Sequence, residues 1–190
     1  MFETFTLQQP VGGNACGAYA LAALVNARNN GLPVNTPTGA SVYVDIIAQQ
    51  NALPVGYPPI FAPPAPRSLP SSLVHVGIAR GFNDQVQVMV NQALMPDEML
   101  PLIAPETARI GHAAAVINSA ADLQSMVQAA GYYLALVHDG VHWIALGRNA
   151  QGFYAYDSDA DFHGATNQPV GNQLTLNGVQ YDFSGILICF

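Results

Sequence analysis

The chain has 190 residues, 51% of them hydrophobic and only 9% charged, with a net charge of -7. That length suits a single domain over residues 1–190, with ample apolar material for a core and a surface that leans on Asn, Gln, Ser and Thr. The acidic balance excludes broad nucleic-acid binding and attachment to anionic membranes, both of which need basic patches.

No apolar run reaches the roughly 18 residues of a membrane span. No charged n-region followed by an apolar run opens the sequence, so no signal peptide is expected. The expected location is the cytoplasm where the protein is made, or export by a specialised secretion machine that reads another signal. All five basic residues are arginine, and lysine is absent. That is either drift in composition or the mark of a protein working where lysine is a liability. A bacterial effector inside a ubiquitin-bearing host cell is one such case.

In chain order, residues 2–9 read as a short extended lead. The stretch Gly12-Gly13-Asn14-Ala15-Cys16-Gly17-Ala18 then opens a helix over residues 15–29, with Asn14 as its cap and Asn30-Gly31 as its stop. This helix is apolar nearly all round, which places it in the middle of the domain. A second helix is expected over 41–53, with Val42, Ile46 and Ile47 on one face. Residues 54–70 hold seven prolines in seventeen positions and read as an extended surface loop, pinned by Tyr57 and Phe61. Residues 73–79 suggest a strand, 84–94 a helix capped by Asn83, and 95–112 a loop with at most one helical turn. Ser119 followed by Asp122 resembles a capping box that opens a helix ending at Gly131.

The last third changes character. Residues 132–138 and 141–148 form a hairpin on the Asp139-Gly140 turn, and 153–157 is the next strand. Residues 173–176 and 179–183 pair around Asn177-Gly178, and 185–190 is a last strand. Helices first and antiparallel strands later define an α+β chain.

Cys16 and Cys189 are the two cysteines, too few for a disulfide framework. Cys16 falls in the first turn of its helix, where unpaired N–H groups and the helix dipole favour an anion, and so a thiolate nucleophile. The competing reading is a small apolar residue in a packed helix. A thiol nucleophile needs a base, and the base needs a partner that orients it. His142 on one strand and Asp157 at the end of the next can be neighbours, giving the logic of a Cys–His–Asp triad. His138 reads as a turn residue, His75 as a solvent-facing or satisfied core residue, and His112 and His163 as solvated loop residues. Asp157, Asp159 and Asp161 resemble a calcium loop but lack the glycine and distal glutamate of an EF-hand, so neither metal nor cofactor is expected. The oxyanion of an amide hydrolysis needs a donor besides the Cys16 N–H, and Gln8, Gln9 and Asn14 are the upstream amides.

The order Gln9, Cys16, His142, Asp157 resembles that of the papain-like cysteine peptidases. The stretch Asn14-Ala15-Cys16-Gly17-Ala18 resembles the cysteine box of bacteriocin-leader peptidases. His142-Trp143 with an acid shortly after is similar to both these and the Josephin deubiquitinases. The match covers the first thirty residues and about 132–160. The resemblance implies a papain-like fold, its N-terminal cysteine helix packed on a C-terminal antiparallel sheet. It implies Cys16 as nucleophile, His142 as general base and acid, Asp157 as orienting group and Gln9 in the oxyanion hole. The family's glutamine stands five or six residues before the cysteine, whereas Gln9 stands seven before, which leaves Gln8 open as the alternative. The implied activity is hydrolysis of a peptide or isopeptide bond through an acyl-enzyme thioester, with a protein or peptide substrate as partner. The alternatives are transglutaminase-like acyl transfer on the same triad and a non-catalytic binding module on the same scaffold.

Overall fold

A computed structural model of the chain describes residues 1–10, 12–29, 37–82 and 85–190. Its helices are α1 (Cys16–Arg28), α2 (Gly39–Gln50), α3 (Pro70–Ala79), α4 (Ile103–Ile110) and the single turn α5 (Leu123–Met126). Its strands are β1 (Gln87–Val90), β2 (Ala115–Asn118), β3 (Gly131–Val137), β4 (His142–Asn149), β5 (Gly152–Asp157), β6 (Phe162–Thr166), β7 (Gln173–Leu176) and β8 (Val179–Cys189). The sheet runs β2-β1-β8-β3-β4-β5-β6, with β7 added to the outer half of β8. Among the described residues only β1 and β2 pair parallel, and the other strand pairings are antiparallel. The chain is therefore α+β, with the Cys16 helix laid on a mostly antiparallel sheet.

Strand alternation explains why both sheet faces are apolar. Leu134, Leu136, Trp143, Ala145, Tyr156, Ile186 and Ile188 face α1, α2 and α3 in one core. Tyr133, Ala135, Val137, Ile144, Leu146, Phe153, Ala155 and Leu187 face the other way, under α5 and β7. Helix α1 lies in the first core with almost every side chain buried, as its all-round apolar character requires. The strand β8 serves both layers because its register shifts against β3 between Ala135 and Val137. Gly185 sits opposite that shift at φ +82°, and a Cβ there would stand 2.4 Å from the Asn91 carbonyl oxygen.

The lead segment, expected to be extended, turns at residues 3–4, where the Phe5 N–H donates to the Phe2 carbonyl at 2.9 Å, and it is tied down. Phe2 and Phe5 are buried, Phe5 meets the Tyr156 ring edge-on at 5.2 Å, and the Tyr156 hydroxyl donates to the Leu7 carbonyl. Burying two such aromatics contributes about 1.5–3 kcal/mol each. The proline segment is largely irregular, with one 3-10 turn at Pro59–Phe61. Phe61 is buried, and the Tyr57 hydroxyl donates to Glu106 Oε1 at 2.8 Å.

Several expectations are corrected. Residues 73–79 are helical: Pro70 occupies the first turn of α3, and a short apolar run does not separate strand from helix by itself. Residues 87–90 are strand β1, because Val86, Val88 and Val90 alternate into the core. The expected cap Asn83 and first residue Asp84 of that helix lie outside the described residues, as does the Asn30-Gly31 stop of α1. Residues 103–110 make two turns of helix in place of loop, and β2 and β6 were not anticipated. Asp122 alone caps α5, accepting from the Ser125 N–H at 2.8 Å. Ser119 instead closes the exit of β2, its N–H donating to the Val90 carbonyl at 2.8 Å. The Asp139-Gly140 turn forms as expected, both residues at positive φ.

Candidate active site

Helix α1 starts with Cys16 at its first position. Its N-cap is Ala15, which offers no side-chain cap. Asn14, the expected cap, instead donates its amide to the Ala65 carbonyl at 2.8 Å. The first intrahelical bond is Tyr19 N–H to Ala15 at 3.0 Å. The N–H groups of Cys16, Gly17 and Ala18 therefore have no partner within the helix, which leaves donors beside the thiol. Gly17 is needed for close approach: a Cβ there would stand 2.6 Å from both Cβ and Oγ of Ser68 and 3.1 Å from Cδ1 of Trp143. The Trp143 indole N–H donates to the Ser68 carbonyl at 3.0 Å. The residue after the cysteine and the residue after the histidine are thus packed on the same serine, which fixes α1 against β4.

His142 opens β4. Extending the β4–β5 register of Ala145↔Tyr156 puts Asp157 opposite Ile144, one diagonal step from His142 on the same face. Nε2 of His142 lies 2.8 Å from Oδ1 of Asp157. An ionised carboxylate only accepts, so Nε2 donates to Asp157, and Cys16 acts on the same ring by a side-chain hydrogen bond and its charge. Burial pulls the His142 ring down. The hydrogen bonds and charges of Asp157 and Cys16 outweigh it and raise the ring to about 10. Burial also pushes the Asp157 carboxyl up, but the hydrogen bond and charge of His142, with lesser help from Tyr181 and the Asp159 N–H, hold it below its ordinary value. The Asp159 N–H donates to Oδ1 at 2.9 Å. Oδ2 has no hydrogen-bond partner among the described residues. The Tyr181 ring stacks on the imidazole at 6.0 Å between centroids.

Cys16 and His142 line one cleft of about 380 Å³, together with Gln9, Asn14, Arg67, His138, Asp159, Gln180 and Tyr181. Gln9 is therefore at the cleft, whereas Gln8 is exposed and does not line it. The Gln9 amide donates to Asp159 Oδ1, and Asp159 Oδ2 lies 3.5 Å from His142 Nδ1. Asp159 thus stands at the mouth of the site as a second, exposed carboxylate.

The other histidines are elsewhere or in other roles. His75 is on α3 with Nε2 2.9 Å from the Arg109 carbonyl. His112 is exposed after α4, and His163 lies on β6 opposite Tyr156. His138 is in the hairpin turn at φ +54° and also lines the cleft. Both cysteines are free, and burial pushes the Cys189 thiol up to about 12. Among the described residues no group of three or more His, Cys, Asp or Glu is placed to hold a metal ion, and no helix is long and apolar enough to cross a membrane. Sequence reasoning missed Tyr181 and Arg67. Tyr181 follows the Asn177-Gly178 hairpin by three residues, which places it on β8 but not over β4. Arg67 carried one usable signal, as the single cation in the proline segment.

No family model, curated protein or solved structure matches this chain.

Proposed function

We propose that this protein is a papain-like cysteine peptidase or amidase, with Cys16 as nucleophile, His142 as base and acid, and Asp157 as the group that orients the imidazole. One observation carries the reading. A buried His142–Asp157 pair and a cysteine at the start of a helix line the same cleft, and the Cys16 side chain acts on the His142 ring by hydrogen bonding and charge. That is the arrangement a thiol nucleophile requires.

The chemistry follows from these positions. His142 takes the Cys16 proton, and Sγ attacks the substrate carbonyl carbon, pushing its π electrons onto oxygen. The free N–H groups at the start of α1 receive that oxyanion. The imidazolium returns the proton to the amide nitrogen as the C–N bond breaks, releasing the amine and leaving a thioester on Cys16. His142 then deprotonates a water whose oxygen attacks the thioester, and the thiol leaves with the acid product. Gln9 is the second oxyanion donor in this scheme, its amide turning from Asp159 towards the substrate oxygen.

A screen of peptide and isopeptide substrates by mass spectrometry, run on wild type and Cys16→Ala, tests the reading. Cleavage lost in the variant with an unchanged circular dichroism spectrum is expected. Cleavage retained in Cys16→Ala would contradict it.

A further inference from the structure

The end of the proline segment is held in a way that a surface connection does not need. Four consecutive carbonyls each accept a hydrogen bond from a side chain elsewhere in the fold. Asn14 donates to Ala65 at 2.8 Å, the Tyr43 hydroxyl to Pro66 at 2.9 Å, Gln50 to Arg67 at 2.9 Å and Trp143 to Ser68 at 3.0 Å. The Arg67 N–H donates to the Ile60 carbonyl at 2.8 Å. Gln50 is fully buried, and it also donates to Phe61 at 2.7 Å and accepts from Leu69 N–H at 3.0 Å. Two of these anchors, Asn14 and Trp143, adjoin the proposed catalytic residues.

What this frame leaves unheld is the Arg67 side chain. Among the described residues the other four arginines are engaged. Arg28 lies over the Phe82 ring, Arg80 pairs with Asp45, Arg109 pairs with Glu106, and Arg148 donates to Gln168 at 3.1 Å. Arg67 has no hydrogen bond or ion pair to any described residue, and it lines the Cys16 cleft. The cleft's one exposed carboxylate, Asp159, is taken up by the Gln9 amide and faces the His142 ring. In a chain of net charge -7 without lysine, the Arg67 guanidinium lines the cleft with no carboxylate of the described residues paired to it. Its planar fork matches a carboxylate, and a backbone fixed in advance lowers the ordering cost of using it.

We infer that Arg67 is a specificity residue that binds a carboxylate of the substrate, so that this site prefers carboxylate-bearing substrates over neutral ones. The inference rests on the catalytic reading above. The carboxylate can be an acidic side chain or the free C-terminus of a peptide, and the two are separable by experiment.

Iodoacetate and iodoacetamide alkylate the same sulfur and differ in one carboxylate, so their rate ratio at Cys16 reads the cation directly. The Arg67→Gln variant is expected to lower the iodoacetate rate about tenfold while leaving the iodoacetamide rate near wild type, the size of one partly screened charge interaction. An unchanged ratio, with Cys16 still reactive to iodoacetamide, overturns this inference alone. A wild-type Cys16 inert to iodoacetamide overturns the catalytic reading and this inference with it. Protection of Cys16 by Ac-Ala-Glu-NH2 or by Ac-Ala-Gln-OH, lost in Arg67→Gln, assigns the side-chain or the terminal carboxylate. Equal protection by Ac-Ala-Gln-NH2, or protection by none of the three, counts against carboxylate recognition.

Discussion

Nε2 of His142 and Oδ1 of Asp157 stand 2.8 Å apart across neighbouring strands, with the two side chains only 8% and 0% exposed. Burying such a pair costs desolvation that its mutual attraction does not clearly exceed. Its value is the placement of the imidazole, and the two carboxylates near that ring should therefore behave differently. Asp157→Asn is expected to cut turnover by about 10²–10⁴-fold, because an amide allows the wrong tautomer. Asp159→Asn, at a side chain 53% exposed, should stay within about tenfold of wild type. Steady-state kinetics on one substrate compares the two, and equal losses would contradict the assignment.

The same pair makes stability depend on pH with a defined sign. The His142 pKa is raised from 6.5 to about 10 in the folded protein. Its contribution is complete below about 6.5 and is lost as pH rises towards 10. The Asp157 carboxyl is lowered from 3.8, so its contribution is present above that value and lost as pH falls below it. Urea unfolding across this range should show a plateau between these limits and a decline on either side. In Asp157→Asn the alkaline decline should flatten; an unchanged decline would assign it to another group.

Gly17 is a second point of control, acting through packing rather than proton transfer. Adding a methyl group there drives it into Ser68 and the Trp143 edge. Gly17→Ala should destabilise the fold by about 1–3 kcal/mol through overpacking. It should also shift Cys16 against His142, at a cost in rate of up to about 10²-fold. Thermal unfolding and kinetics on the same preparation check both parts. A variant as stable and active as wild type would show that the contact is not restrictive.

The parts of the molecule written in local code were legible in the sequence. The glycine-rich approach to Cys16, the apolar α1, and the two hairpins at Asp139-Gly140 and Asn177-Gly178 each follow from short-range rules. They carry Cys16 and His142. What failed was sequence whose structure is decided at a distance. The run at 73–79 is helical because α3 packs on α2 and α4, and Pro70 was its one local sign. The β1 alternation of Val86, Val88 and Val90 was outweighed by an apparent helix cap. The strands β2 and β6 are edge strands with few buried positions, so their sequence barely alternates. Within the cleft, Gln9 was separated from Gln8 only by the anchoring of Phe2, Phe5 and Leu7 against Tyr156. Arg67 was placed by four side-chain hydrogen bonds to carbonyls, which no sequence pattern encodes.

The most direct test of the central claim is the rate of Cys16 alkylation by iodoacetamide against pH, in wild type and His142→Ala. Mass spectrometry separates Cys16 from Cys189, whose thiol is pushed up to about 12 by burial and serves as the internal control. The account predicts that Cys16 is alkylated faster than an ordinary accessible thiol under the same conditions. It predicts that this advantage disappears in His142→Ala. A Cys16 that follows an ordinary thiol profile in wild type, or keeps its advantage without His142, would contradict the account.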